Sequence, residues 1–228
     1  MQNYYGVFKD CAIYMFLKTI VKTIILIIML LVVSAFRTGM LHAESLSGEE
    51  YRVKAGFIYN FAKFTSWPVS AFKDNRLNVV IVSKHPETKV FLALNEKPLK
   101  GKIVRILRYY LDVKNPFLDD DYTISEVDEK GSTHLITSEN YQDIIKTCHI
   151  IYLATPNSKI IRSHLKWLSG FDILTIGESD AFLPSGGIIN FFMEENRLRF
   201  MVNLDAVNKT HLFMSSQLLM SADIYRNP

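Results

Sequence analysis

From Leu77 to Val202 the chain alternates short runs of β-branched and aliphatic residues with stretches of helical spacing, and this alternation constrains the fold more than any other feature. Leu77 to Val82, Lys102 to Tyr109, Thr133 to Thr137, His149 to Ala154 and Ile173 to Ile176 read as strands. Thr88 to Leu94, Glu139 to Lys146 and Ser158 to Leu168 read as helices, the last capped by Asn157. Parallel strands need a long crossover, which a helix supplies. The pattern therefore implies a single α/β domain with a mixed, mostly parallel sheet and helices on both faces. Pro98 and Gly101 break any helix before the second strand, and the polar stretch from Asp119-Asp120-Asp121 to Ser132 reads as an exposed connection. Ile188 to Met193 and Arg197 to Val202 form a C-terminal antiparallel hairpin turning at Glu194-Glu195-Asn196, where Asn196 can take the left-handed conformation that such turns require.

A helix precedes this pattern. Ser47-Gly48-Glu49-Glu50 is a capping box, helical spacing runs to Phe64, and Trp67-Pro68 stops it. Val53, Ala55, Phe57, Ile58, Phe61, Ala62 and Phe64 spread over a wide arc, with Arg52, Gly56, Tyr59, Asn60 and Lys63 opposite. Lys54 falls in the middle of the apolar arc. An ammonium there must either snorkel along its stem to water or meet a carboxylate, because burying it unpaired is prohibitive. Glu178 and Asp180 are the candidate partners. At the other end of the chain, Asn203-Leu204-Asp205 opens a short helical turn, and Ser215 or Ser216 caps a last helix carrying Leu218, Leu219, Ala222 and Tyr225 on one face.

The first 43 residues differ in kind. Lys18 and Lys22 precede the uncharged run Thr23 to Phe36, followed by Arg37 and Leu41-His42-Ala43. A basic flank, an apolar core and a small closing residue make a secretory signal peptide, with translation starting at Met1 or at Met15. The uncharged run is shorter than the roughly 20 residues a spanning helix needs, so a membrane anchor is the second reading. Residues 1–43 hold Lys9, Lys18, Lys22, Arg37 and Asp10 out of 26 basic and 23 acidic residues, leaving 22 of each in residues 44–228. A mature chain with no net charge gives no reason to expect nucleic acid or anionic lipid as a partner. Cys11 leaves with the leader, so Cys148 has no partner within the mature chain and reads as a small buried apolar residue or an intermolecular thiol.

Three motifs could carry chemistry. Gly177-Glu178-Ser179-Asp180-Ala181 fits a loose nucleophile elbow, but Pro184, Gly186 and Gly187 follow within eight residues, which leaves no room for the helix that an elbow requires. The Gly186-Gly187 pair precedes a strand rather than a helix, so it reads as a turn and not as a phosphate cradle. His85, His134, His149, His164 and His211 show no metal-binding spacing, and Asp119-Asp120-Asp121 lacks the spaced oxygens of a calcium loop, so neither metal nor cofactor is expected. Gly177, Gly186, Gly187, Asn190, Asn203, Asp205 and Ser215 read as turn and cap residues.

Two segments together carry a resemblance: Val53-Lys54-Ala55-Gly56-Phe57-Ile58-Tyr59-Asn60-Phe61-Ala62-Lys63-Phe64-Thr65-Ser66-Trp67-Pro68, and the run from Leu174-Thr175-Ile176-Gly177 through Gly186-Gly187-Ile188-Ile189-Asn190-Phe191, Arg197-Leu198-Arg199-Phe200 and Asn203-Leu204-Asp205-Ala206 to Ser215-Ser216-Gln217-Leu218-Leu219. They resemble the YfiR family of small bacterial periplasmic proteins. The resemblance implies an α/β fold spanning residues 44–228, no catalytic activity, and a regulator that restrains an inner-membrane diguanylate cyclase, and so cyclic-di-GMP signalling, from the periplasmic side. It also suggests a homodimer. The chain departs from the best-known family pattern in lacking paired cysteines, which removes a disulfide switch inside the monomer. The surface expected to meet the partner combines Glu178, Ser179 and Asp180 with Lys54, Tyr59 and Lys63. A periplasmic small-ligand binder, with its pocket at the carboxyl ends of the parallel strands near residues 177–187, is the alternative.

Overall fold

The computed structural model describes residues 48–113 and 122–226 together with the isolated positions 22 and 29. The expected leader, residues 1–43, and Ser47 of the capping box otherwise lie outside the described residues. No helix among the described residues is long and apolar enough to cross a membrane. The compact unit comprises residues 49–228, and the account below concerns it.

Helix α1 covers residues 48–64. It runs into strand β1 (Thr65–Ser66) and a 3-10 turn (Val69–Ala71). Next come β2 (Arg76–Ser83), a 3-10 helix (Pro86–Leu94), β3 (Pro98–Leu99) and β4 (Lys102–Val113). Strands β5 (Tyr122–Val127) and β6 (Thr133–Ile136) precede α2 (Ser138–Ile145), β7 (Ile150–Ala154), α3 (Ser158–Trp167) and β8 (Leu174–Gly177). The chain ends with β9 (Ile189–Glu194), β10 (Arg197–Asn203), α4 (Leu204–Val207), β11 (Phe213–Met214), α5 (Ser216–Met220) and β12 (Asp223–Tyr225).

The main sheet among the described residues has ten strands in the order β12-β10-β9-β8-β7-β2-β4-β5-β6, with β3 paired to β4 off this path. Its centre, β4-β2-β7-β8-β9, is parallel throughout. β9 and β10 form the expected antiparallel hairpin, and Glu195 and Asn196 take positive φ at its turn (48° and 62°). The alternation of side chains along β2 shows how the sheet divides the molecule. Val79 and Ile81 enter one core with Ala55, Ile58, Phe61 and Ala62 of α1. Val80 and Val82 enter the other with Tyr141 and Ile145 of α2 and Ile160 and Ile161 of α3. Each large apolar side chain buried this way contributes roughly 1.5–3 kcal/mol before conformational entropy is counted. Helix α1 is anchored by rings: Phe61 lies 4.8 Å from Phe200 and 5.7 Å from Phe191, centroid to centroid.

Four sequence expectations need correction. The stretch before Ser132 holds a real strand, β5, because Ile124 and Val127 are buried and the strand pairs antiparallel with β4 and β6. β6 is thus an antiparallel edge strand. The segment expected as a helix from Thr88 is a 3-10 helix opened by Pro86, with Thr88, Phe91 and Leu94 buried. The last helix ends at Met220, and Asp223–Tyr225 adds a parallel strand beside β10 instead of a further helical turn.

Candidate functional site

The carboxyl ends of β2, β7 and β8 converge beside the first turns of α1, and there the chain buries its one central lysine. Lys54 is 4% exposed, and its Nζ sits 2.6 Å from Glu178 Oε2 and 2.5 Å from Glu50 Oε1. The fully buried Tyr152 donates its hydroxyl to the same Glu178 Oε2. The ammonium also lies 4.8 Å from the centroid of the Tyr51 ring. Of the two carboxylates foreseen for Lys54, Glu178 is the partner and Asp180 is exposed. Burial, and then the charge of Glu178, push both the Tyr51 and Tyr152 phenols above the usual range, so both stay protonated and Tyr152 can donate. Helix α1 is therefore tied to the β8 end by an ion pair shared among three elements.

Past Glu178, the stretch GESDAFLPSGG is organised by a residue that sequence patterning did not single out. Phe182 is fully buried in the second core. Its ring lies so close to Gly177 and Gly187 that a Cβ on either would stand 2.3 Å and 2.2 Å, respectively, from ring carbons. The two glycines flank the seat of the ring. Backbone bonds from Phe182 N to Ser179 O (2.9 Å) and Gly187 N to Phe182 O (3.0 Å) close the turn, while Gly186 takes φ 96°. Ser179 Oγ accepts from Ala181 N–H at 3.3 Å, and no histidine among the described residues hydrogen-bonds it. No helix follows, so the elbow geometry is absent.

Asn203 and Ser215 act as helix caps with defined partners. Asn203 Oδ1 accepts from Ala206 N–H and its amide donates to Leu183 O, which fastens the loop to α4. Asp205 is exposed in the first turn of α4. Ser215 Oγ caps α5 by accepting from Leu218 N–H, and Ser215 N–H donates to Phe64 O. The Asn190 amide donates to Phe191 O.

The structure does not bring all six expected contact residues together. Lys54 and Glu178 form the buried bridge, with Ser179 and Asp180 on the loop beside it. Tyr59 and Lys63 lie on the other side of α1, where the Tyr59 hydroxyl reaches Pro98 O at 3.4 Å and Lys63 Nζ sits 5.4 Å from the Phe64 ring. A cavity of about 270 Å³ opens at the carboxyl ends of β2 and β7, lined by Ser83, Lys84, Thr155 and Asn157 among others. It lies between strands whose crossovers leave in opposite directions, and not at residues 177–187, which the Phe182 ring packs shut. No group of three or more His, Cys, Asp or Glu suited to a metal ion occurs among the described residues.

A family model described as YfiR/HmsC-like matches residues 51–116 and 114–223. No curated protein matches the chain. Among solved structures, a conserved domain protein from Vibrio cholerae O1 biovar El Tor str. N16961 aligns at 10% identity and a TM-score of 0.41, covering 66% of this chain. The chain spans 55% of the length of that structure.

Proposed function

The chain belongs to the YfiR/HmsC-like family, and from that membership we propose that it is a non-enzymatic periplasmic regulator that binds and restrains the periplasmic domain of an inner-membrane signalling protein, a diguanylate cyclase foremost. On this reading residues 1–43 are a cleaved leader and residues 44–228 the working domain. The observation that carries the reading is the family match, which runs through nearly all of that domain. The loop after Ser179 supports it: turn residues and then β9, not a helix, follow the serine of the elbow-like motif.

A regulator of this kind shifts its partner only through a difference in affinity for the partner's two states. Rigid presentation of the contact surface lowers the entropy lost on binding. The loop bearing Ser179 and Asp180 fits that need, because Phe182 and the Lys54–Glu178 bridge hold it at both sides. Tyr59 and Lys63 belong to a separate patch, so a partner touching both sets must wrap around α1. Deleting the gene should raise cellular cyclic-di-GMP, and supplying the exported chain should restore it. An unchanged level in both strains contradicts a cyclase partner.

The second reading, a small-ligand binder, is favoured by the cavity at the ends of β2 and β7. A saturable thermal shift of several degrees with a periplasmic metabolite, abolished by filling the cavity at Thr155, would support it.

A further inference from the structure

Helix α1 buries one side against the sheet and leaves the other bare. Glu49, Arg52, Val53, Gly56, Asn60 and Lys63 are exposed, and at ~100° per residue all of them point within about 60° of the Gly56 direction. Two of these residues do not suit a solvated helix face. Val53 is an apolar side chain left 47% exposed. Gly56 weakens a helix interior relative to alanine, yet a Cβ built on it would meet nothing within 4 Å. No packing inside the domain therefore asks for a glycine there. A glycine at an open point of a helix lets a second backbone approach closely.

The polar side chains of this face are arranged about Gly56. Glu49 lies seven residues before it and Lys63 seven after, each two turns away and about 20° to either side of its direction. Arg52 and Asn60 stand four before and four after. An isologous interface requires that residue i meet residue j while j meets i, and this palindrome supplies that. When two copies of α1 lie antiparallel and cross at Gly56, Glu49 faces the partner's Lys63 and Lys63 faces the partner's Glu49. Arg52 then faces the partner's Asn60, whose amide oxygen can accept from a guanidinium. A parallel pairing would oppose like charges, so the pattern selects the antiparallel one. Lys63 has no carboxylate partner among the described residues, and its Nζ rests over the Phe64 ring at 5.4 Å. Glu49 forms an exposed pair with Arg52, and a carboxylate has acceptor sites enough for a second cation.

We propose that the exposed face of α1 docks a second copy of this chain, the two helices crossing antiparallel at Gly56 with a Glu49–Lys63 pair at either end and Val53 covered at the contact. This gives the expected homodimer a surface and gives Lys63 a role apart from the loop at Ser179 and Asp180. A helix pair about 25 Å long covers less than a standard interface, so the dimer is weak and reversible. The proposal stands apart from the regulator reading, because no cyclase enters its test.

Sedimentation of the purified exported chain from about 1 to 500 µM should show a monomer–dimer equilibrium with a dissociation constant on the order of tens of micromolar. Gly56→Leu should hold or raise the melting temperature of the monomer at low concentration, because leucine favours helix and its Cβ meets open space. The same change should abolish the dimer by holding the helices apart. Glu49→Lys and Lys63→Glu should each weaken dimerisation about tenfold by opposing like charges, and the double variant should restore it to within about threefold of the parent. A chain still monomeric at about 500 µM, a dimer that survives Gly56→Leu, or a double variant as weak as the single ones would overturn the proposal.

Discussion

Lys54 Nζ and Glu178 Oε2 meet at 2.6 Å across 124 positions of sequence, joining α1 to the end of β8. Because Lys54 is 4% exposed, its charge is tolerable only while a carboxylate faces it. Glu178→Gln should destabilise the domain by about 2 kcal/mol, less than the full cost of an orphaned buried charge because Glu50 remains 2.5 Å away. Lys54→Met with Glu178→Gln should cost less than the two single changes added together. Urea unfolding of the four proteins closes this cycle, and strict additivity would deny the coupling.

Gly177 and Gly187 are set by the Phe182 ring and not by backbone conformation, since neither takes positive φ. Alanine at either position should cost about 1–3 kcal/mol through overpacking. Combining Gly187→Ala with Phe182→Ala should remove the clash, leaving only the cavity cost of the missing ring. Equal stability of Gly187→Ala and the parent protein would contradict the packing described.

His164 is buried, donates Nδ1–H to Ile160 O at 2.8 Å and accepts from the Tyr141 hydroxyl at 2.9 Å. Burial pushes its pKa down from the ordinary 6.5 to about 4, and burial also lowers that of His149. Between those values the unfolded chain binds more protons than the folded one, so stability rises with pH there. Full stability is expected above about pH 6.5, with a loss of roughly 3 kcal/mol from His164 as pH falls to about 4, and a further loss in the same direction from His149. Denaturation midpoints measured from pH 7 to pH 4 check this. In His164→Leu the slope should flatten, even though that change itself costs stability by removing the hydrogen bond between the Tyr141 hydroxyl and His164 Nε2.

Cys148 is buried in the second core, and burial pushes its thiol far above the usual range. In a Cys11→Ser variant, Ellman's reagent should react only at the rate of unfolding and should release a full equivalent in denaturant. Rapid native-state labelling would place the thiol at the surface.

Much of this arrangement is legible in the sequence because it rests on periodicity and local capping. The placement of Lys54 in an apolar arc calls for either a route to water or a facing carboxylate, and Asn157, Asn203 and Ser215 stand where caps must. β5 was obscured because its half-buried positions are filled by Thr123, Ser125 and Glu126, which read as polar loop residues beside the aspartates. Phe182 could not be read, since a phenylalanine among turn residues gives no sign of which glycines surround it. The split between Lys54 and the pair Tyr59 and Lys63 follows from helical geometry: five and nine residues at ~100° each carry the side chains well round the cylinder. The pairing of Asn78 with His149 depends on β2 lying beside β7, a neighbour relation that no local pattern encodes.

The regulator reading is tested most directly by capturing inner-membrane proteins from a detergent extract of the native cell with the tagged mature chain and identifying what is retained. A diguanylate cyclase or related membrane signalling protein should be enriched, and Asp180→Lys or Ser179→Arg at the loop tip should reduce its recovery about tenfold without altering the melting temperature. Retention of no signalling protein, or recovery unaffected by the loop variants and by equivalent changes at Tyr59 and Lys63, would contradict the account.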